Sequence, residues 1–183
     1  MTLFDTHAHY DDEAFDADRD AVLAAFDGLV IDPGCTLASS QAAVDLAARH
    51  PHVYAAVGIH PENCGDFVSE HMDALRQLAR EPKVVAIGEI GLDYYWPENP
   101  PRDFQQQVFR SQLELALELD LPVIVHDREA HGDSLAIVKE YPALRGVFHC
   151  YSGSVEMARE LLALGWYLGF DGPVTYKNAR KTV

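Results

Sequence analysis

Lysine and arginine are scarce in this chain: 14 stand against 29 aspartates and glutamates, a formal net charge of −15. Such a surface repels nucleic acid at long range. It excludes a broad basic DNA-binding face and leaves room only for a local pocket that neutralises a phosphate. Cysteine is scarcer still. Cys35, Cys64 and Cys150 are far apart, odd in number and form no Cys-x-x-Cys pair. A disulfide framework is therefore disfavoured, and free thiols in a reducing compartment are expected. No apolar run approaches the length of a membrane span, and no basic-then-apolar leader opens the chain. What remains is 183 residues, 48% of them hydrophobic and 10% aromatic. That is enough for one domain, residues 1–183, with a substantial core. The expectation is a cytoplasmic protein with no membrane and no obligate protein partner.

Short β-rich runs alternate with longer stretches of helical spacing. Strands are expected at Leu3 to His7, Gly28 to Gly34, Val53 to Pro61, Val84 to Glu89, Leu121 to His126, Gly146 to His149 and Trp166 to Phe170. Helices are expected at Asp16 to Phe26, from a Ser39-Ser40 cap to His50, and at Asp66 to Arg80, Asp103 to Leu119, Asp133 to Tyr141 and Ser154 to Leu164. Another would begin at Asn178, and Gly91 to Pro101 reads as a loop. Repeated β-then-α units with near-continuous apolar strands imply a parallel sheet covered by helices. Periodicity alone does not distinguish a closed barrel from an open sheet.

The chemistry gathers where the strands end. His7 and His9 close the first, His60 the third, Glu89 the fourth, His126 the fifth and His149 the sixth. On an extended strand, residues two apart share a face, with Cα atoms about 6–7 Å apart, so His7 and His9 project side by side. Parallel strands all point one way, and the rim at their carboxyl ends is where ligands bind in α/β folds. Imidazoles and a carboxylate on one rim suit a hydrolytic metal. Two ions fit better than one, because Glu89 has two oxygens and can bridge. His7 and His9 would then serve one side, His126 and His149 the other. A mixed nitrogen and oxygen set suits zinc or manganese and admits magnesium.

These residues resemble a known family. Phe4-Asp5-Thr6-His7-Ala8-His9, Gly58-Ile59-His60-Pro61, Gly88-Glu89-Ile90-Gly91-Leu92-Asp93-Tyr94, Pro122-Val123-Ile124-Val125-His126-Asp127-Arg128 and Phe148-His149-Cys150-Tyr151-Ser152-Gly153 are similar to the successive motifs of TatD-type metal-dependent deoxyribonucleases. The resemblance covers essentially the whole chain. It implies a TIM-type (β/α) barrel of the metal-dependent hydrolase superfamily and divalent-metal-dependent cleavage of DNA phosphodiesters, acting on ends or single strands. By matching position it makes His7, His9, Glu89, His126 and His149 metal ligands. His60 and Arg128 would meet the substrate phosphate, and Asp93 would orient a ligand.

The family also carries a Thr-Asp motif on its last strand, whose Asp binds metal and is the usual general base. The sequence ends at Val183, before that strand. A closed barrel typically needs about 250 residues, so the expectation is a barrel lacking its last βα unit, with exposed sheet edges. Asp171 beside Gly172-Pro173 reads as a turn residue rather than a substitute. Two other readings stand beside the nuclease: a hydrolase of the same superfamily acting on a small ester or amide, and a metal-binding fragment inactive for want of that Asp. Tyr94, Tyr95 and Trp96 would either stack on a base or pack across the mouth. Asp11-Asp12-Glu13 reads as a solvated loop, and Cys150 as an inert thiol turned toward the helices.

Overall fold

The computed structural model describes residues 3–177 and residue 179. Seven strands, β1 (Leu3–Asp5), β2 (Gly28–Pro33), β3 (Val53–Val57), β4 (Val84–Asp93), β5 (Val123–Arg128), β6 (Gly146–Phe148) and β7 (Tyr167–Leu168), lie side by side in chain order. Every neighbouring pair is parallel. Each connection carries a helix: α1 (Arg19–Ala25), α2 (Leu37–Arg49), α3 (Ser69–Leu78), α4 (Arg102–Leu119), α5 (His131–Lys139) and α6 (Val155–Ala163). The sheet curls into a partial (β/α) barrel. Among the described residues neither β1 nor β7 has an outer neighbour, and Leu3, Phe4 and Tyr167 are exposed there.

Alternation along the strands separates two apolar layers. Val30, Val53, Ala55, Val57, Ile87, Val123, Val125 and Phe148 face outward and pack with Leu46, Leu75, Leu113 and Leu161 of the helices. Ile31, Ala56, Ala86 and Ile124 face inward and form a smaller second cluster. Above that inner plug the same inward face continues into the polar ends of the strands.

Element boundaries depart from the sequence reading in three instructive places. Helix α2 starts at Leu37 and is capped by Thr36. Ser39 takes the third position of a capping box, its N–H donating to Thr36 Oγ1 at 3.0 Å while Thr36 N–H donates to Ser39 Oγ at 2.9 Å. Strand β3 stops at Val57, so His60 follows it and opens a single 3-10 turn, Pro61–Asn63. Strand β4 runs on to Asp93 through a stretch expected to be loop. Gly91 pairs with His126 inside the ladder at φ 142°, where a Cβ would lie 2.0 Å from the His126 carbonyl oxygen. Glycine here permits close strand approach rather than marking a turn. The helix expected from Asn178 lies outside the described residues.

Two buried glutamines on one face of α4 tie the helix layer to the strand ends. Gln112 Nε2 donates to Ile59 O at 3.0 Å, and Ile59 N–H donates to Gln112 Oε1 at 2.8 Å. Two turns earlier, Gln105 clasps the backbone of Asp93 in the same way, at 2.9 Å for both bonds. Each clamp satisfies a buried N–H and C=O that no neighbouring strand reaches, and the residues held are Asp93 itself and the neighbour of His60. Replacing Gln112 by Leu orphans both groups, at roughly 1–3 kcal/mol each. The expected outcome is a loss of about 2–6 kcal/mol in urea unfolding, whereas Gln107→Leu on the exposed face of α4 stays within about 0.5 kcal/mol.

Candidate metal centre

Glu89 stands at the middle of the barrel mouth, only 3% exposed. Its position comes from an irregularity in β4. The pairing with β5 moves from Ile87↔Val123 to Ile90↔Val125, three steps on one strand against two on the other. A bulge of this kind re-aims side chains. Ile87 and Ile90 both stay in the outer core, and the surplus residue is taken up by Gly88 and Glu89. Gly88 has no room for a Cβ, which would sit 2.7 Å from Ile124 Cβ. Glu89 N–H donates to Gly34 O at 2.9 Å, anchoring the bulge to the loop after β2.

Five imidazoles surround this carboxylate, and its two oxygens divide them. Oε1 lies 2.7 Å from His149 Nε2, 3.0 Å from His126 Nδ1 and 3.7 Å from His60 Nε2. Oε2 lies 3.4 Å from His7 Nε2 and 3.7 Å from His9 Nε2. His7 and His9 follow β1 rather than end it, yet their Nε2 atoms converge to 3.1 Å. Burial pushes the Glu89 carboxyl up, but hydrogen bonds from His126, His149, His7 and His9 outweigh it and hold the group well below the usual range. It is an ionised, buried carboxylate.

Three of the outer nitrogens are also spoken for. His126 Nε2 lies 3.1 Å from Asp93 Oδ2, His149 Nδ1 lies 3.2 Å from Asp171 Oδ2, and His9 Nδ1 lies 3.6 Å from Asp11 Oδ1. One nitrogen inward and the other on a carboxylate is the arrangement that orients metal-binding histidines and raises their basicity. The contacts with Asp11 and Glu89 raise the His9 pKa to about 10. Burial pulls His126 down, yet Asp93 and Glu89 raise it to about 9. His60 differs. Its Nδ1 accepts from Glu62 N–H at 3.2 Å, and burial drives its pKa down to about 3. The neutral ring therefore carries its hydrogen on Nε2, as a donor facing the mouth.

The donor set fits a metal. His7, His9 and Glu89 each bring one ligand atom within 4.8 Å of the others, and His60, Glu89 and His126 do the same. The two groups share Glu89. His7 Nδ1 is buried without a partner, so that ring has no carboxylate behind it.

Among the other side chains, Asp11 and Cys150 depart from their sequence reading. Arg128 lies at the mouth beside His126 and His149, with its guanidinium over the Tyr95 ring. Asp171 does precede a turn, Gly172–Thr175, but it also reaches His149. Asp11, read as a solvated loop residue, is turned inward to His9. Arg19 gathers that loop by donating to the carbonyls of Tyr10, Asp11 and Asp12. Cys150 has φ 45° and lines the hollow beside His149, because the backbone turns back at the end of β6. Two residues were not read as belonging to this site. Cys35 Sγ lies 3.8 Å from Glu89 Oε2. Asp32 is fully buried next to Asp11, with both oxygens unpartnered, and burial raises its pKa to about 8. An aspartate inside an otherwise apolar strand was the available signal for Asp32.

Among known proteins, the family profile described as TatD related DNase matches residues 4–183. The uncharacterized metal-dependent hydrolase YabD of Bacillus subtilis is 40% identical over 185 residues, covering 98% of this chain and 72% of that protein. The 3'-5' ssDNA/RNA exonuclease TatD of Citrobacter koseri is 37% identical over 177 residues, covering 93% of this chain and 67% of that one. The crystal structure of the TatD homologue YjjV from Escherichia coli superposes with a TM-score of 0.88 at 34% identity, over 95% of this chain and 70% of that one. A profile match over nearly every residue, joined by these identities, shows that the chain belongs to the TatD-related DNase family of metal-dependent hydrolases.

Proposed function

We propose that the chain is one hydrolase barrel unit that cleaves DNA phosphodiesters from an end, at a centre of two divalent ions bridged by Glu89. The observation that carries this reading is the division of the imidazoles between the two oxygens of one buried carboxylate, His7 and His9 on Oε2, His126 and His149 on Oε1. The printed name of the Citrobacter relative, a 3'-5' ssDNA/RNA exonuclease, supports a nucleic-acid substrate and single strands in particular. Zinc, manganese and magnesium are the candidate ions.

When bound, the ions supply Lewis-acid charge and lower the pKa of water to about 7. The residues do the rest. Asp93, Asp171 and Asp11 hold three rings in the orientation that points one nitrogen inward. His60, fixed as an Nε2–H donor by Glu62 N–H, hydrogen-bonds a phosphate oxygen. Arg128 brings a permanent positive charge to the same mouth.

The charge of −15 favours a second reading, a small ester or amide as substrate. End-labelled single-stranded and duplex DNA, incubated with Mg²⁺, Mn²⁺ or Zn²⁺ beside a panel of small esters and amides, separates the two. Shortening of the DNA from one end is the expected result. DNA left intact with all three metals, together with turnover of a small substrate, rejects the nuclease.

Two further outcomes follow from the geometry. Glu89→Gln removes the bridging charge, so metal analysis of the purified protein finds one ion per chain or none; two ions retained refutes the bridge. Metal affinity also rises with pH between 6 and 8. Below its folded pKa a ring holds a proton that the ion must displace. His9 and His126, raised to about 10 and about 9, are protonated across that window. Affinity then increases up to about tenfold per pH unit for each proton released. Calorimetric titrations in buffers of different ionisation enthalpy count those protons, and a pH-independent affinity with no proton release contradicts the ligand assignment.

A further inference from the structure

The loop after β4 carries two large aromatic side chains that the core does not use. Tyr95 is 51% exposed and Trp96 42% exposed. Their ring centroids are 4.7 Å apart, edge to face at 85°. The Arg128 guanidinium completes the group, 4.0 Å from the Tyr95 ring centroid and 5.3 Å from that of Trp96. Three flat groups thus stand together in solvent, held by an edge-to-face ring contact and cation–π attraction.

This group is built onto the candidate metal centre. Tyr95 N–H donates to Asp93 Oδ1 at 2.9 Å, while Asp93 Oδ2 holds His126. Tyr94 N–H donates to Arg128 O at 2.9 Å, locking the loop to the end of β5. Arg128 is two residues past His126 on the same strand and lines a hollow of about 370 Å³ with His126, His149 and Ser152. That volume lies within the range of small-ligand sites. The aromatic faces are therefore carried by the same two strand ends that carry the ligand histidine and its aspartate.

We propose that Tyr95, Trp96 and Arg128 form a stacking platform for an unpaired nucleobase, seating the nucleotide next to the phosphodiester that is cleaved. The proposal rests on the nuclease reading above and deepens it. The charge argument supports it. A chain with a net charge of −15 gains no long-range attraction for a polyanion, so its grip on nucleic acid must be short-ranged. Stacking on aromatic and guanidinium planes is short-ranged and tolerant of base identity. A base inside a duplex has both faces covered by its neighbours. Only single strands and frayed ends offer a free face, so the platform selects them over intact duplex.

The test uses the full chain and two single-stranded oligodeoxynucleotides of equal length, one with normal bases and one carrying abasic tetrahydrofuran residues throughout. The wild type is expected to show a KM about tenfold or more lower for the base-bearing strand, the size of one to two stacked bases. In the Tyr95→Ala/Trp96→Ala double variant that preference collapses to about twofold or less. Tyr95→Phe/Trp96→Phe, which keeps both ring faces, restores it. A wild type that treats the two strands alike, or a double variant that keeps the full preference, overturns the platform. If the wild type cleaves neither strand, the nuclease reading fails separately. Fluorescence anisotropy with the same labelled strands then decides the platform: base-dependent binding lost in the alanine variant supports it, and equal or absent binding overturns it.

Discussion

A buried carboxylate must be compensated, and the mouth of this barrel is arranged to compensate one. Glu89 is almost wholly withdrawn from water. An isolated ionised carboxylate there would cost several kcal/mol, and burial by itself would drive it to the neutral form. Hydrogen bonds and charge from the surrounding imidazoles reverse that balance. Three of those imidazoles, His9, His126 and His149, are in turn kept basic by Asp11, Asp93 and Asp171 behind them. The result is a shell of alternating charge, carboxylate inside, imidazole next, carboxylate outside. In such a shell a divalent cation and a ring proton compete for the same nitrogen lone pairs, so metal binding and proton release are one equilibrium.

The apolar framework serves this shell by fixing backbone rather than by touching it. The bulge in β4 delivers Glu89 inward while leaving Ile87 and Ile90 in the outer core. Gly88 and Gly91 allow that strand to lie against Ile124 and the His126 carbonyl more closely than any side chain would permit. Gln105 and Gln112, seven residues apart on α4, close the backbone hydrogen bonds where the strands diverge. The clamps hold Ile59, next to the mouth-facing donor His60, and Asp93, the partner of His126. A displacement of α4 would therefore reach the centre through two amide side chains.

Much of this was legible beforehand. The alternation of apolar strands with amphipathic helices specified a parallel α/β sheet, and the run of His7, His9, His60, Glu89, His126 and His149 at successive strand ends specified a common rim. Boundaries were less legible. The stretch from Gly91 to Pro101 reads as loop because it is rich in proline, tyrosine and tryptophan, yet β4 runs on to Asp93 and Gly91 serves close strand approach. Ser39 reads as a cap because serine is a good one, but Thr36 lies where the chain turns and takes the role. The stretch Asp11-Asp12-Glu13 reads as solvated because acidic runs usually are. Arg19 bends that segment back onto its own carbonyls, and Asp11 ends beside His9.

The order of residues alone placed His7, His9, His60, Glu89, His126 and His149 on one rim, because strand direction and two-residue alternation are local properties. It did not determine which nitrogen of each ring turns inward, which aspartate stands behind it, or that one carboxylate separates His7 and His9 from His126 and His149. Those facts depend on contacts between Glu89 and residues 29 to 82 positions away, and on Asp171 meeting His149, 22 positions earlier and on the far side of α6 and β7. Only the curled sheet brings such distant segments to hydrogen-bond range, and only the helix layer holds them there.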